Sequence, residues 1–178
     1  VLSIVGDVDA AEVKRMVEKY FASIPAQPQP VKPDITEPPQ TKEKRVKQTD
    51  KLAKVPALAV GYHAPDQKSP DFAPMVLLNL ILQGDDSSRF YQRLVKEKGL
   101  SLDMLGALNL FGNEFDYYGP MLITTRTTYK PGHTGDELVK EMDAVLADIT
   151  QNGVTEKELA DAKVRYRSNF YNQLESTF

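Results

Sequence analysis

Six prolines crowd into residues 25–39: Pro25, Pro28, Pro30, Pro33, Pro38 and Pro39. None can donate a backbone hydrogen bond, so neither a helix interior nor a central strand can pass through the stretch. Such a segment is extended and semi-rigid. It divides the chain into a leading piece, residues 1–25, a linker, residues 26–40, and a body, residues 41–178. Each part has to find its own fold.

In the leading piece, the run Val1–Val5 reads as a short buried strand stopped by Gly6. Asp9 is a good N-cap, with Glu12 three residues on. Val13, Met16, Val17, Tyr20, Phe21 and Ile24 then recur at helical spacing and give one apolar face, which Pro25 closes.

The body opens with the chain's only basic cluster, Lys42, Lys44, Arg45 and Lys47, which reads as a solvated strand face. Val55–Tyr62 reads as a strand buried on both faces. Ser69 and Pro70 open a helix whose span Phe72–Leu82 is apolar nearly all round, a core helix broken at Gly84. Asp86 or Ser87 caps a short helix carrying Phe90, Leu94 and Val95, ended by Gly99. Residues 100–111 and 117–128 read as two strands joined at Gly112-Asn113. Thr134 with Glu137, and Thr155 with Glu158, mark two capping boxes that open the last helices. These elements give an α+β class: a mostly antiparallel sheet with helices packed on one face.

The composition narrows the chemistry. With 178 residues and 41% apolar content the chain can bury a core. A net charge of −3 points to no nucleic-acid or anionic-membrane partner. No cysteine is present, which excludes disulfides, thiolate zinc sites and cysteine nucleophiles. No apolar run approaches the ~20 residues a membrane span needs.

His63 and His133 are the only histidines, and neither has a partner at helical zinc-site spacing, so both read as surface or capping residues. Ser87 and Ser88 lack the Gly-x-Ser-x-Gly elbow of an activated nucleophile and read as helix caps. Asp85 and Asp86 suit the positive end of a helix dipole. The glycines lack phosphate-loop spacing. On residues alone the chain is a soluble α+β domain with no catalytic or metal-binding residues of its own.

Four stretches carry a family resemblance. They are Ile4-Val5-Gly6-Asp7-Val8-Asp9 with Tyr20-Phe21 and Ile24-Pro25; Val60-Gly61-Tyr62-His63-Ala64-Pro65 with Asp71-Phe72-Ala73; Leu80–Gly84 with Ser87–Leu94 and Glu97–Leu100; and Gly153–Leu159 with Ala162-Lys163. In this order and spacing they resemble the pitrilysin/insulinase family of zinc peptidases, which includes the mitochondrial processing peptidases.

The resemblance implies that residues 1–25 are the closing strand and helix of a preceding domain. It implies that 41–178 are a second, inactive domain of the subunit, truncated at its end. It puts the zinc-binding His-x-x-Glu-His motif upstream of Val1, so zinc is expected in the parent protein and none in this chain. The chain has no starting Met and ends at Phe178 within a helical pattern, in keeping with a fragment. Family halves that assist catalysis carry an Arg after the Leu of the Gln-Arg-Leu stretch and a Tyr after Gly-Leu-Ala. Here the matching positions are Val95 and Leu102. The implied partners are the zinc-bearing first domain, a second half or subunit that supplies the Arg–Tyr pair, and a peptide substrate. The implied role is an accessory domain that shapes a substrate chamber. A degenerate structural subunit of the same fold is the alternative. Exported bacterial relatives suggest a periplasmic or cell-envelope address.

Overall fold

The computed structural model describes residues 2–34, 36, 38–110, 112, 114–115, 117 and 119–175. They form two compact units, Val1–Gln48 and Thr49–Phe178.

The first unit holds one helix, α1, Ala10–Phe21. Asp9 Oδ1 accepts from the Glu12 amide at 2.8 Å, so the cap read from the sequence forms. No residue of α1 is buried, and Met16, Tyr20 and Phe21 stand exposed, as does Ile24 beyond the helix. The strand expected over Val1–Val5 does not form across Leu2–Val5, and Val1 lies outside the described residues. A strand exists only through pairing with a neighbour, and no described segment pairs with this run. The expected strand face at residues 42–47 is also absent. Its charges are exposed, and Arg45 pairs with Glu43 at 2.6 Å.

The second unit contains a three-stranded antiparallel sheet with helices against one face. β1 (Ala57–Ala64) and β2 (Leu105–Leu108) flank the central β3 (Met121–Thr128). β1 aligns Ala57 with Thr128 through Ala64 with Met121, and β2 aligns Leu105 with Arg126. Along β3, Met121, Ile123, Thr125 and Thr127 are buried, while the residues between them are exposed or half-buried. The sheet therefore has one core face and one open face. This corrects the reading of Val55–Tyr62 as doubly buried: Ala57, Ala59 and Gly61 are exposed. Being small, they pass for core residues in the sequence, yet they point outward.

On the core face lies α2 (Phe72–Gln83), with Phe72, Val76, Ile81, Leu82 and Gln83 buried. The Ser69-Pro70-Asp71 run forms the turn leading into it. Ser69 accepts from the amides of Asp71 (Oγ, 3.2 Å) and Phe72 (carbonyl, 3.1 Å), so α2 starts two residues later than Pro70 suggests. Gln83 at the end of α2 clasps the sheet. Its Nε2 donates to the Thr124 carbonyl at 2.9 Å and to Asn79 Oδ1 at 2.8 Å, and its Oε1 accepts from Thr125 Oγ1 at 2.5 Å. Gly106 makes room for it: a Cβ there would lie 2.1 Å from Gln83 Cδ.

The short helix α3 (Arg89–Tyr91) runs directly into a π-helical segment, Gln92–Glu97. There the Lys98 amide bonds to the Arg93 carbonyl five residues back, and Gly99 leaves the turn at φ +61°. The expected strand 100–111 shortens to β2, preceded by a single bridge between Ser101 and Tyr129. The strand expected over 117–128 begins at Met121. In the turn expected at Gly112-Asn113, Asn113 lies outside the described residues.

α4 (Gly135–Asn152) and α5 (Glu156–Glu175) complete the unit. Both capping boxes form: Thr134 with Glu137, and Thr155 with Glu158 at 2.8 and 3.2 Å. Leu94, Leu138, Met142 and Ala162 are fully buried where the π segment, α4 and α5 meet the core. No helix among the described residues is long and apolar enough to cross a membrane.

Candidate functional site

Val95 and Leu102 sit on either side of one hydrogen-bonded knot. Val95 is half-buried within the π segment. The carbonyl of its neighbour Leu94 accepts from the amides of both Leu100 (2.9 Å) and Ser101 (3.1 Å), so the chain turns back onto itself. Leu102 then donates its amide to the Thr128 carbonyl at 2.8 Å. Asp103 fixes the other side: Oδ1 accepts from the Thr128 amide, and its carbonyl accepts from Thr127 Oγ1, both at 2.6 Å. Leu102 remains 49% exposed on this rigid frame. Neither side chain can donate a hydrogen bond, so the knot presents apolar surface and no charge-stabilising group. Ser101 Oγ, buried beside it, has no hydrogen-bond partner.

A network of ions joins α3 and the π segment to α4 and α5. Arg89 makes a two-pronged pair with Glu158 (2.7 and 2.9 Å), donates to Asp148 at 2.8 Å, and reaches the Gly153 carbonyl at 3.3 Å. It thereby ties α3 to the turn between α4 and α5. The Arg89 hydrogen bonds, aided by the Thr155 amide and hydroxyl and opposed by burial, lower the Glu158 pKa to about 2. Arg93 binds Glu141 at 2.7 Å and Glu97 at 3.1 Å. A cavity of about 340 Å³ lies between these arginines, Gln92, Val145 and Asp148, and its charges are already matched to one another.

The other polar groups singled out in the sequence have structural roles. Ser87 donates to Asp85 Oδ1 at 2.6 Å in a local turn, and that carboxylate is itself held in an ion pair by Arg165. Ser88, not Asp86 or Ser87, holds the N-cap position of α3, and its hydroxyl makes no capping bond. Burial raises the Asp85 pKa, but hydrogen bonds from Ser87 and an ion pair with Arg165 outweigh it, leaving the carboxylate below its usual range. His133 Nδ1 lies 3.1 Å from Glu137, the capping-box residue, and His63 stands exposed near the end of β1. Among the described residues no three His, Cys, Asp or Glu side chains converge as a metal site.

Two features escape the sequence reading. A second cavity, about 270 Å³, opens between α2 and α5, lined by Val76, Leu77, Phe115 and Tyr166, with Lys163 and Arg167 also on its wall. Its signal is the i, i+3, i+4 spacing of Lys163, Tyr166 and Arg167. The other is the open sheet face with Arg126 at its centre, signalled by the period-two pattern of Leu122, Thr124, Arg126 and Thr128.

Residues 1–166 match the model of the peptidase M16 inactive domain. The chain belongs to that family. This M16 domain is 26% identical over 99% of its length to the uncharacterized zinc protease YmxG of Bacillus subtilis, and 24% identical over 99% to the zinc protease PqqE of Helicobacter pylori. It spans 40% and 39% of those two relatives. Among solved structures, a protease from Helicobacter pylori has the same fold, with TM-score 0.78, 23% identity, 97% of this chain covered and 41% of that one. A peptidase M16 inactive domain from Pseudomonas fluorescens matches at TM-score 0.50 and 25% identity, over 66% of this chain and 28% of that one. The α+β class and the pitrilysin-type resemblance read from the sequence both hold.

Proposed function

We propose that this chain is the accessory, non-catalytic domain of a zinc endopeptidase, forming part of a substrate chamber whose catalytic groups lie elsewhere. The observation that carries the reading is the apolar pair at the knot. By the family resemblance Val95 and Leu102 match the positions of the Arg–Tyr pair, and on the hydrogen-bonded frame around them neither side chain is a donor. On this reading a second half or subunit supplies the Arg–Tyr pair, and zinc sits in the first domain of the parent protein. Residues 1–25 close that first domain, residues 26–40 link it to the body, and residues 41–178 are the inactive domain. The exposed Met16, Tyr20 and Phe21 of α1, with Ile24 just beyond it, support such docking, since exposed apolar groups gain by burial.

Val95→Ala and Leu102→Ala in the complete peptidase test the reading. Val95→Ala should lower stability by about 0.5–1.5 kcal/mol, the cost of trimming a partly buried aliphatic side chain. Both variants should leave kcat nearly unchanged. A loss of about 100- to 1,000-fold, the usual effect of removing a transition-state donor, would overturn it. A parent sequence without His-x-x-Glu-His upstream of this chain would favour a purely structural subunit instead.

A further inference from the structure

The cavity of about 270 Å³ between α2 and α5 joins an apolar interior to a cationic rim. Ala73, Val76 and Leu77 of α2 form one wall. Phe115 closes it: its ring stands edge-on to Phe72, with centroids 5.3 Å apart at 89°, and leans on Tyr166 at 6.1 Å. Gln67 Nε2 donates to the Glu114 carbonyl at 2.9 Å and so holds the segment carrying Phe115 against the start of α2. On α5, Lys163 and Arg167 stand one turn apart, both exposed, and among the described residues neither pairs with a carboxylate. Other charged side chains of α5 have partners: Lys157 binds Asp161, Glu158 binds Arg89, and Arg165 binds Asp85. Burial, with the Glu114 carboxylate adding to it, raises the Tyr166 pKa, so the phenol keeps its proton and can donate. Glu114 is the carboxylate acting on this site, and two cations stand against it.

We infer that this cavity binds a small free aromatic acid, with the ring inside against α2 and Phe115 and the carboxylate between Lys163 and Arg167. The volume sets the size. An apolar cavity of about 150 Å³ takes one benzene ring, so the site has room for a ring and a short acid chain. It falls just below the roughly 300–1,000 Å³ of sites for drug-sized ligands. The rim sets the charge. A carboxylate gains charge-assisted hydrogen bonds from the ammonium and the guanidinium, whose fork takes two oxygens at once. A neutral head would leave both cations unmatched, and a cationic head would be repelled. Burial of the ring supplies the rest of the affinity. The inference goes beyond the chamber reading and does not depend on it.

The test titrates the isotope-labelled chain with 3-phenylpropionate, with its neutral amide 3-phenylpropanamide, and with propionate, which keeps the charge and lacks the ring. Backbone amide shifts should saturate with 3-phenylpropionate at about 0.1–1 mM, the range open to a ligand of about 11 non-hydrogen atoms. They should centre on Ala73–Leu77 and Lys163–Arg167. The neutral amide should bind roughly 5- to 10-fold more weakly, the size of a partly screened charged hydrogen bond, and the gap should narrow in high salt. Propionate should not saturate the shifts. Lys163→Gln combined with Arg167→Gln alters only exposed side chains, so the chain should fold normally and bind acid and amide alike. Ala73→Leu, at an exposed lining position, puts a larger side chain on the apolar wall and should weaken both ligands. Equal binding of acid and amide, a preference that survives the double variant, saturation by propionate, or shifts centred away from α2 and α5 would each overturn the inference. So would loss of 3-phenylpropionate binding in the complete protein, because another segment of that protein would then be the occupant of the cavity.

Discussion

Replacing Gly106 by alanine tests the clasp between α2 and the sheet. The new Cβ would lie 2.1 Å from Gln83 Cδ, 2.2 Å from Cγ and 2.5 Å from Oε1. None of these atoms can stay in place, so Gln83 must leave its site. It then gives up its bonds to Asn79, the Thr124 carbonyl and the Thr125 hydroxyl. At about 1 kcal/mol net per bond, with the buried Thr125 hydroxyl left short of a partner, the loss is roughly 3–5 kcal/mol. A Gly→Ala change elsewhere often stabilises by about 0.4–1 kcal/mol through the unfolded chain, so the expected sign is reversed here. Urea unfolding followed by tyrosine signal should show a lower midpoint at unchanged slope. In a Gln83→Ala background the alanine at 106 meets no glutamine, and its cost should fall below about 1 kcal/mol, a coupling of the size seen for residues in contact. A cost below about 1 kcal/mol in the otherwise unaltered chain, or the same cost in both backgrounds, would refute the steric argument.

The Arg89–Glu158 pair should make stability acid-sensitive. Glu158 has a folded pKa of about 2 against 4.5 unperturbed, so its contribution is complete above about pH 4.5 and is lost as pH falls toward 2. With the Glu158 side chain 30% exposed, screening leaves about 1–2 kcal/mol. Glu158→Gln should remove that portion of the acid sensitivity and lower stability at neutral pH; an unchanged acid profile would contradict the assignment. Metal analysis of the dialysed chain should find no stoichiometric zinc, because no described ligands converge; one zinc per chain would contradict this. Thr134→Ala should cost about 1 kcal/mol by opening the capping box, measured by the same urea titration.

The parts of the fold that were legible in the sequence are the local ones. A cap is settled within four residues, and Asp9, Thr134 and Thr155 with their acidic partners form as read. What was missed depends on distant segments. Leu2–Val5 has strand composition but no strand beside it. Ala57, Ala59 and Gly61 look like core because size and polarity do not say which face is covered. The strand expected from residue 100 gives way to a knot, because Asp103 and Leu94 draw the backbone into bonds of their own. At the candidate site, the resemblance marked Val95 and Leu102, but only the fold reveals that one carbonyl joins their two segments. Arg126 was hidden by the misread face of β1 and needed the register of all three strands.

The π turn at Gln92–Glu97 sets a rule about chain length. It holds one residue more per turn than an α-helix, through the Arg93–Lys98 bond. A π turn takes up one extra residue, so deleting one residue there would let the turn close as α with the chain on either side still in register. Gly99 would keep the position that uses its positive φ, and Ser101 and Leu102 would still meet Leu94 and Thr128. Exposed identities such as Lys96 can therefore drift, and the count of residues between Arg93 and Leu102 can fall by one. Homologous chains should vary here by replacement or by a single-residue gap, and a relative with that gap should carry an α turn and the same opposing surface.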